Sequence, residues 1–353
     1  MGPERVWNLR SVEELKSKEF WFHDAQRTLF EKLSTPPNQY VAKNVIFFLG
    51  DGMSVPTVTA SRIFEGQLRG VVGERNRLEF EKFNFVGLSK TYCVNKQVSD
   101  SACTASAYLS GIKANYLTIG VTPNVQVNDC AGARLPQNRL SSIAAWAMKG
   151  RKSAGVVTTT RITHASPAGV YAHTSNRDFE SDFDAKKALD ETVQFSNAIK
   201  KARLLTNPWD TLIVVTADHG HTVSISGYPD VNNSIAGLNS EFSDVDSKPY
   251  ATLSYANGPE FQKFYQSKDG VVERVDLTTS DIGDKDARYP HGVPMSEETH
   301  GGGDVAVYAH GPWAHLFTGV YEQNTIPFMM GYASCLGPGM TYCDLQPKVS
   351  YNP

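Results

Sequence analysis

Val45-Ile46-Phe47-Phe48-Leu49-Gly50-Asp51-Gly52 is the stretch on which the fold turns. An apolar run with no polar alternation is what a strand buried on both faces looks like, and such strands belong to parallel sheets covered by helices. The run stops at Gly50-Asp51-Gly52, where glycine lets the backbone turn tightly and come close to a ligand. Working outward, Thr211-Leu212-Ile213-Val214-Val215-Thr216 repeats the pattern and leads into Ala217-Asp218-His219-Gly220-His221. Ala154-Gly155-Val156-Val157 reads as a third strand leading into Thr158-Thr159-Thr160, and Asp304-Val305-Ala306-Val307-Tyr308 as a fourth. Residues 140–148 and 188–205 carry helical periodicity with few breakers. Strands alternating with helices predict a doubly wound α/β fold: a mostly parallel central sheet with helices on both faces. Ligands bind such sheets at the carboxyl ends of strands, where Asp51, Asp218 and His219 fall.

The flanks read differently. Residues 1–40 form a polar helical arm that ends near Pro36-Pro37, the main domain runs over 41–343, and 344–353 is a tail. Within the domain, 227–298 is rich in Gly, Asp and Ser and reads as an irregular surface excursion. With a net charge of −3 and no basic stripe, the chain offers nothing to a nucleic-acid backbone. No run approaches the roughly 18 apolar residues of a membrane span, so no membrane segment is expected. The opening MGPERVWNLR lacks the pattern of a signal peptide, and the closing QPKVSYNP has no hydrophobic tail for a lipid anchor. Five cysteines leave at least one without an intrachain partner. Cys335 and Cys343 flank residues 336–342 and are placed to close a short disulfide, but five free thiols fit the spacing equally. Asn232-Asn233-Ser234 matches a glycosylation acceptor, a triplet that chance also produces.

Several motifs carry possible chemistry, and each has a plainer explanation. Asp51 beyond a buried strand is placed to hold a metal, or is a turn aspartate. Asp218 and His219 are both ligand types that zinc accepts, or are turn residues in water. Neighbouring side chains on a strand point to opposite faces, so joint ligation needs an irregular loop at Gly220. Asp100-Ser101 precedes the helix-compatible run 102–109, which sets Ser101 at a helix N-terminus where a phosphoryl anion is favoured. The plain reading there is an ordinary helix cap. Ser101 has no G-x-S-x-G elbow around it, so it would need a metal to lower its pKa. In His164-Ala165-Ser166 the serine hydroxyl suits a hard cation such as magnesium, and Arg177 suits a phosphate clamp. His300, followed by three glycines, is a further candidate ligand. Taken singly, each plain reading is sound; together they need coincidences at the strand ends of one sheet.

The residues resemble animal alkaline phosphatases. The resemblance rests on KNVIFFLGDGM (43–53), VSDSACTASAYLSGIKAN (98–115), TTTRITHASPAGVYAHTSNRD (158–178), DTLIVVTADHGH (210–221) and ETHGGGDVAVYAHGPWAHLFTGVYEQNTIP (298–327), in the family's order. It implies hydrolysis of phosphate monoesters through a phosphoseryl intermediate on Ser101, with zinc and magnesium as cofactors. Asp51 is implied to bridge the second zinc and the magnesium, with Ser166 at the magnesium and Arg177 on the phosphate. Asp218 and His219 are implied for the second zinc and His300 for the first. Asp100, His164 and His221 are expected to stand behind these groups. The resemblance further implies a homodimer clasped by the N-terminal arm, a crown built from the 227–298 insertion, and a place outside the cell or on its surface. The chain departs from the family after Asp182, where it passes directly to Lys186-Lys187-Ala188. A long family segment is missing there, including a V-E-G-G-x-I-D-H-x-x-H stretch that supplies the magnesium glutamate and two ligands of the first zinc. Its loss also accounts for an unpaired Cys130. The chain is therefore expected to have exposed apolar edges, and to be a shortened form of an active enzyme or an impaired homologue that binds phosphate without full turnover.

Overall fold

A computed structural model describes residues 12–177, 185–284 and 287–345. The start of the arm, the junction at 178–184 and most of the tail lie outside the described residues. In chain order come α1 (Lys18–Leu33), β1 (Asn44–Gly50), α2 (Val55–Leu68), β2 (Phe85–Lys90) and α3 (Ser101–Ser110). Then follow α4 (Cys130–Arg134), α5 (Ile143–Lys149), α6 (Ala165–Ala168), α7 (Ala185–Leu205) and β3 (Thr211–Ala217). Short strands occupy the next stretch: β4 (Gly220–His221), β5 (Val223–Ile225), β6 (Leu238–Phe242), β7 (Pro249–Ala251) and β8 (Leu253–Gly258). They continue with β9 (Tyr265–Lys268), β10 (Val271–Arg274), β11 (His291–Pro294) and β12 (His300–Gly301). The chain closes with β13 (Val305–His310), β14 (Gly319–Glu322) and α8 (Ile326–Ser334).

The central sheet has the order β1-β3-β13-β2-β14. Its strands change packing partners every second residue, as a pleated strand buried on two faces must. Val45, Phe47 and Leu49 pack with Leu212 and Val214 against Tyr108 of α3 and Ile326 and Met330 of α8. Ile46 and Phe48 pack with Ile213 and Val215 against Val58 of α2, Phe80 and Ile199 of α7. Helices thus cover both faces. Truncating a fully buried side chain such as Leu212 would cost about 2–5 kcal/mol. β1 and β3 run parallel, with Gly50 opposite Ala217. That register makes Asp51 and Asp218 leave the sheet side by side.

Three expectations change. The sheet is mixed: β1 with β3 and β2 with β14 are parallel, but β13 runs antiparallel to both β3 and β2. Ala154–Val157 forms no strand, and Val157 is fully exposed. Apolarity alone cannot make a strand, because the backbone also needs a hydrogen-bonding neighbour. β1, which reads as a central strand, consequently lies at the sheet edge, paired only with β3 among the described residues. The 227–298 excursion is less irregular than its composition suggests. It folds into β6 to β11, and Ile235, Ala251, Leu253 and Tyr289 give it a small core shared with Ile63 of α2.

Candidate metal and phosphate site

Asp100 starts α3. Its carboxylate accepts from the Ala102 N–H at 3.2 Å and the Cys103 N–H at 3.3 Å, satisfying backbone donors that the first turn leaves open. Gly111 ends the helix at φ +78, a conformation that favours glycine. Ser101 is therefore the first helical residue, at the positive end of the helix dipole. A disulfide between Cys93 and Cys103, which the sequence reading did not pick out, ties the approach loop to this first turn. A second links Cys335 and Cys343, while Cys130 is unpaired and exposed.

The Ser101 hydroxyl is 3.2 Å from Asp51 Oδ2 and 3.0 Å from His219 Nε2. Ser166, on the short α6, donates to Asp51 Oδ2 at 2.7 Å. Asp218 accepts from the Gly52 N–H at 2.8 Å and the His219 N–H at 2.9 Å through Oδ1. Its Oδ2 is buried without a hydrogen bond and faces His219 Nε2 at 3.2 Å. Burial and the neighbouring Asp51 raise the Asp218 carboxyl well above the usual range. Burial, and then His300, hold the His219 imidazole well below its usual value, so it is neutral and ready to donate a lone pair. A buried carboxylate and a half-buried one crowded against a neutral imidazole are poorly balanced without a cation. Asp51, Asp218 and His219 each bring a ligand atom within 4.8 Å of the others. This donor set suits a divalent ion.

Arg177 reaches the other side of the serine. It contacts Asp100 Oδ2 at 3.4 Å and His164 Nε2 at 3.2 Å. His164 Nδ1 in turn lies 3.8 Å from Asp51 Oδ2. Burial first, then the nearby arginine charges, lowers the His164 imidazole below its ordinary value, although Asp51 pulls it up. Asp100 and His164 thus hold the guanidinium while leaving part of its fork for an anion.

His300 arrives from a different direction. Because β13 is antiparallel to β3, the start of β13 lies at the same end as the finish of β3. β12 then pairs with β4, setting His300 opposite His221. The rings of His219 and His300 stack at 3.7 Å, and His219, His221 and His300 each present a ring nitrogen within 4.8 Å of the others. His221 Nδ1 hydrogen-bonds to the Glu298 carboxylate. Glu298 also accepts from the Thr222 N–H at 2.8 Å. The sequence reading gave Glu298 no role; its only signal was its place two residues before His300. Cys93, Cys103 and Asp100 also lie close together, but both sulfurs are committed to the disulfide.

A family description, alkaline phosphatase, matches residues 42–188 and 182–336. The tissue-nonspecific alkaline phosphatase of Rattus norvegicus is 33% identical over 485 aligned positions, spanning 94% of this chain and 91% of the relative. An alkaline phosphatase of Gadus morhua is 34% identical, spanning 90% of this chain and 97% of the relative. The solved structure of alkaline phosphatase from the Antarctic bacterium TAB5 superimposes with a TM-score of 0.56 at 17% identity, covering 85% of this chain and all of the other, a likeness of fold. The 485 aligned positions exceed the 353 residues of the chain, so a large block of the rat protein has no counterpart here. The two family matches meet at 182–188, where the sequence reading located the missing segment.

Proposed function

The chain belongs to the alkaline phosphatase family, and on that premise we propose that it attacks phosphate monoesters with Ser101 Oγ. The observation that carries this reading is the serine's position: first in a helix, with its oxygen against Asp51 and His219. Asp51, Asp218 and His219 would hold zinc, and Asp51 with Ser166 would hold magnesium. When bound, these ions would lower the pKa of the serine hydroxyl and neutralise charge on the phosphoryl group. Arg177 and the open N–H groups of α3 orient the phosphoryl oxygens. Ser101 gives up its hydroxyl proton to solvent, the Oγ–P bond forms as the bond to the leaving alcohol breaks, and that alcohol takes a proton from solvent. Water then cleaves the phosphoserine and releases inorganic phosphate.

A second reading, an impaired homologue that traps phosphate, is favoured by the absent V-E-G-G-x-I-D-H-x-x-H stretch. One experiment separates them. The metal-loaded chain is mixed with p-nitrophenyl phosphate, and release of p-nitrophenol is followed alongside mass spectrometry of the Ser101 peptide. Steady release supports the enzyme, and a single burst with lasting phosphoserine supports the impaired form. Release that survives Ser101→Ala would overturn both. The proposal includes a homodimer clasped by the arm. In its support, α1 has no buried residue and exposes Phe22, Phe30 and Leu33. It also includes export from the cell, since two disulfides suit an oxidising compartment.

A further inference from the structure

We propose that Asn232 is an N-glycosylation site, its side-chain amide carrying an oligosaccharide on the 227–298 insertion. The triplet Asn232-Asn233-Ser234 matches the acceptor pattern, with no proline in the middle. Chance also produces such triplets, so the pattern alone does not decide. What decides is that the pattern falls in register with the surroundings of the two asparagines. The proposal rests on the export of the chain put forward above and is independent of the chemistry at Ser101.

The triplet sits in a turn between β5 and β6. The Asn233 N–H donates to the Asp230 carbonyl at 2.9 Å, and Asn232, third in the turn, has φ +72. Asparagine enters this left-handed region more readily than most side chains. The turn is fastened to the end of α2 and the loop after it. The Asn232 N–H donates to Glu74 Oε1 at 2.9 Å, Gln67 Nε2 donates to the Asn233 carbonyl at 2.6 Å, and the Ile235 N–H donates to Gln67 Oε1 at 3.2 Å. The two asparagine side chains then differ. Asn233 is half-buried, and its Nδ2 donates to the Leu238 carbonyl at 3.0 Å, with the Ser234 carbonyl and Thr252 Oγ1 each at 3.4 Å. Asn232 is exposed, and its amide has no hydrogen bond among the described residues. Ser234, whose hydroxyl the acceptor pattern requires, is exposed as well. A bulky polar group on Asn232 Nδ2 therefore breaks none of the bonds that hold the turn, and it stands in water, where glycans belong.

The co-reactant is a lipid-diphosphate-linked oligosaccharide, which the secretory pathway supplies together with its transferase. Asn232 Nδ2 bonds to the anomeric carbon as the carbon–oxygen bond to the diphosphate breaks. The amide gives up one proton, the lipid diphosphate leaves with the electron pair, and nothing is oxidised or reduced. The disulfides Cys93–Cys103 and Cys335–Cys343 suit the same compartment. The attachment point is remote from the serine. Gln67 lies near the C-terminal end of α2, roughly 20 Å along the helix axis from the end that follows Asp51. α2 also packs on the face of the sheet opposite α3.

The test leads the full chain into the secretory pathway of cultured animal cells and treats the product with peptide-N-glycosidase in heavy-oxygen water. That enzyme turns a glycosylated asparagine into an aspartate bearing the heavy oxygen, so mass spectrometry of the peptide spanning Asn232 reads modification at that residue. Chain retained in the cells is read in the same way, since the transfer precedes folding. The wild type should show the label at Asn232 and a gain in electrophoretic mobility. Asn232→Gly, which suits the positive φ without strain, and Ser234→Ala should both lose the label and the shift, and Ser234→Thr should keep them. Phosphorylation of Ser101 should be the same in Asn232→Gly as in the wild type. An unlabelled Asn232 in the wild type overturns the proposal, as does a label there that survives Ser234→Ala. The same digestion of the protein from its natural source separates this failure from a failure of export. Unlabelled Asn232 with Cys93 and Cys103 reduced means the chain stays in a reducing compartment; unlabelled Asn232 with the two oxidised means it is exported without the glycan. Either overturns the proposal, and only the first overturns export with it.

Discussion

Asp100 serves three partners with one carboxylate: the first turn of α3, the Leu117 N–H at 3.1 Å and the Arg177 guanidinium. Asp100→Ala should cost about 1 kcal/mol of stability from the lost cap. It should also weaken competitive inhibition by inorganic phosphate on the order of tenfold, since a charged hydrogen bond orienting Arg177 goes with it. A melting curve and an inhibition constant measured on the same sample separate the two effects; an unchanged inhibition constant would mean Arg177 positions itself. Gly52, at φ +67, is the second informative residue. Gly52→Ala should lower stability by about 1–2 kcal/mol through backbone strain, and the added Cβ would also collide with the His221 ring; a melting curve checks the loss. At this scale the sequence already set Asp51 and Asp218 at strand ends and Ser101 at a helix start, because these are local signals, and the fold brings them together with His219. It was silent on Glu298 and Cys93, whose partners lie 77 and 10 residues away. Only the fold brings such pairs together.

Elements show where the reading held and where it gave way. β3 and β1 were legible as unbroken apolar runs, and α3 from its cap and its terminal glycine. Val156-Val157 misled, because an apolar run reports hydrophobicity and says nothing about whether a neighbouring strand exists. The direction of β13 was also out of reach, yet it is what returns His300 to the site. The Cys93–Cys103 bridge closes a short loop onto α3. The double variant Cys93→Ser, Cys103→Ser should lose roughly 2–3 kcal/mol by loop-closure entropy. If the bridge also positions Ser101, phosphatase activity per folded molecule should fall with it. At the end of β13, burial and then the Arg203 charge push the His310 imidazole down to about 4. Below its ordinary value of 6.5 the unfolded chain takes up a proton that the folded chain refuses until pH nears 4. Stability should therefore decline as pH drops across that window. His310→Leu removes the titrating group and should flatten the decline in a series of melting temperatures.

The whole molecule is a sheet packed on both faces and left open along both sides. β1 and β14 each pair with a single strand among the described residues. Both faces of β1 are covered, so its half-exposure comes from its unpaired side. Val45 to Leu49 carries no charge or proline, the usual guards of an exposed strand. The expected exposed apolar edge is thus only half-exposed at β1; Val156 and Val157 are exposed, but outside any strand. The two open sides differ in what symmetry allows. β1 meeting β1 of a second copy across a two-fold axis runs antiparallel and closes as a dimer, whereas β1 meeting β14 is head-to-tail and leaves a fresh pair of ends each time. Light scattering over a concentration series tells them apart: a plateau at twice the monomer mass marks the closed contact, and mass that climbs without limit marks the open one. The same unguarded strand would then decide whether the protein stays a countable particle or grows into a fibre.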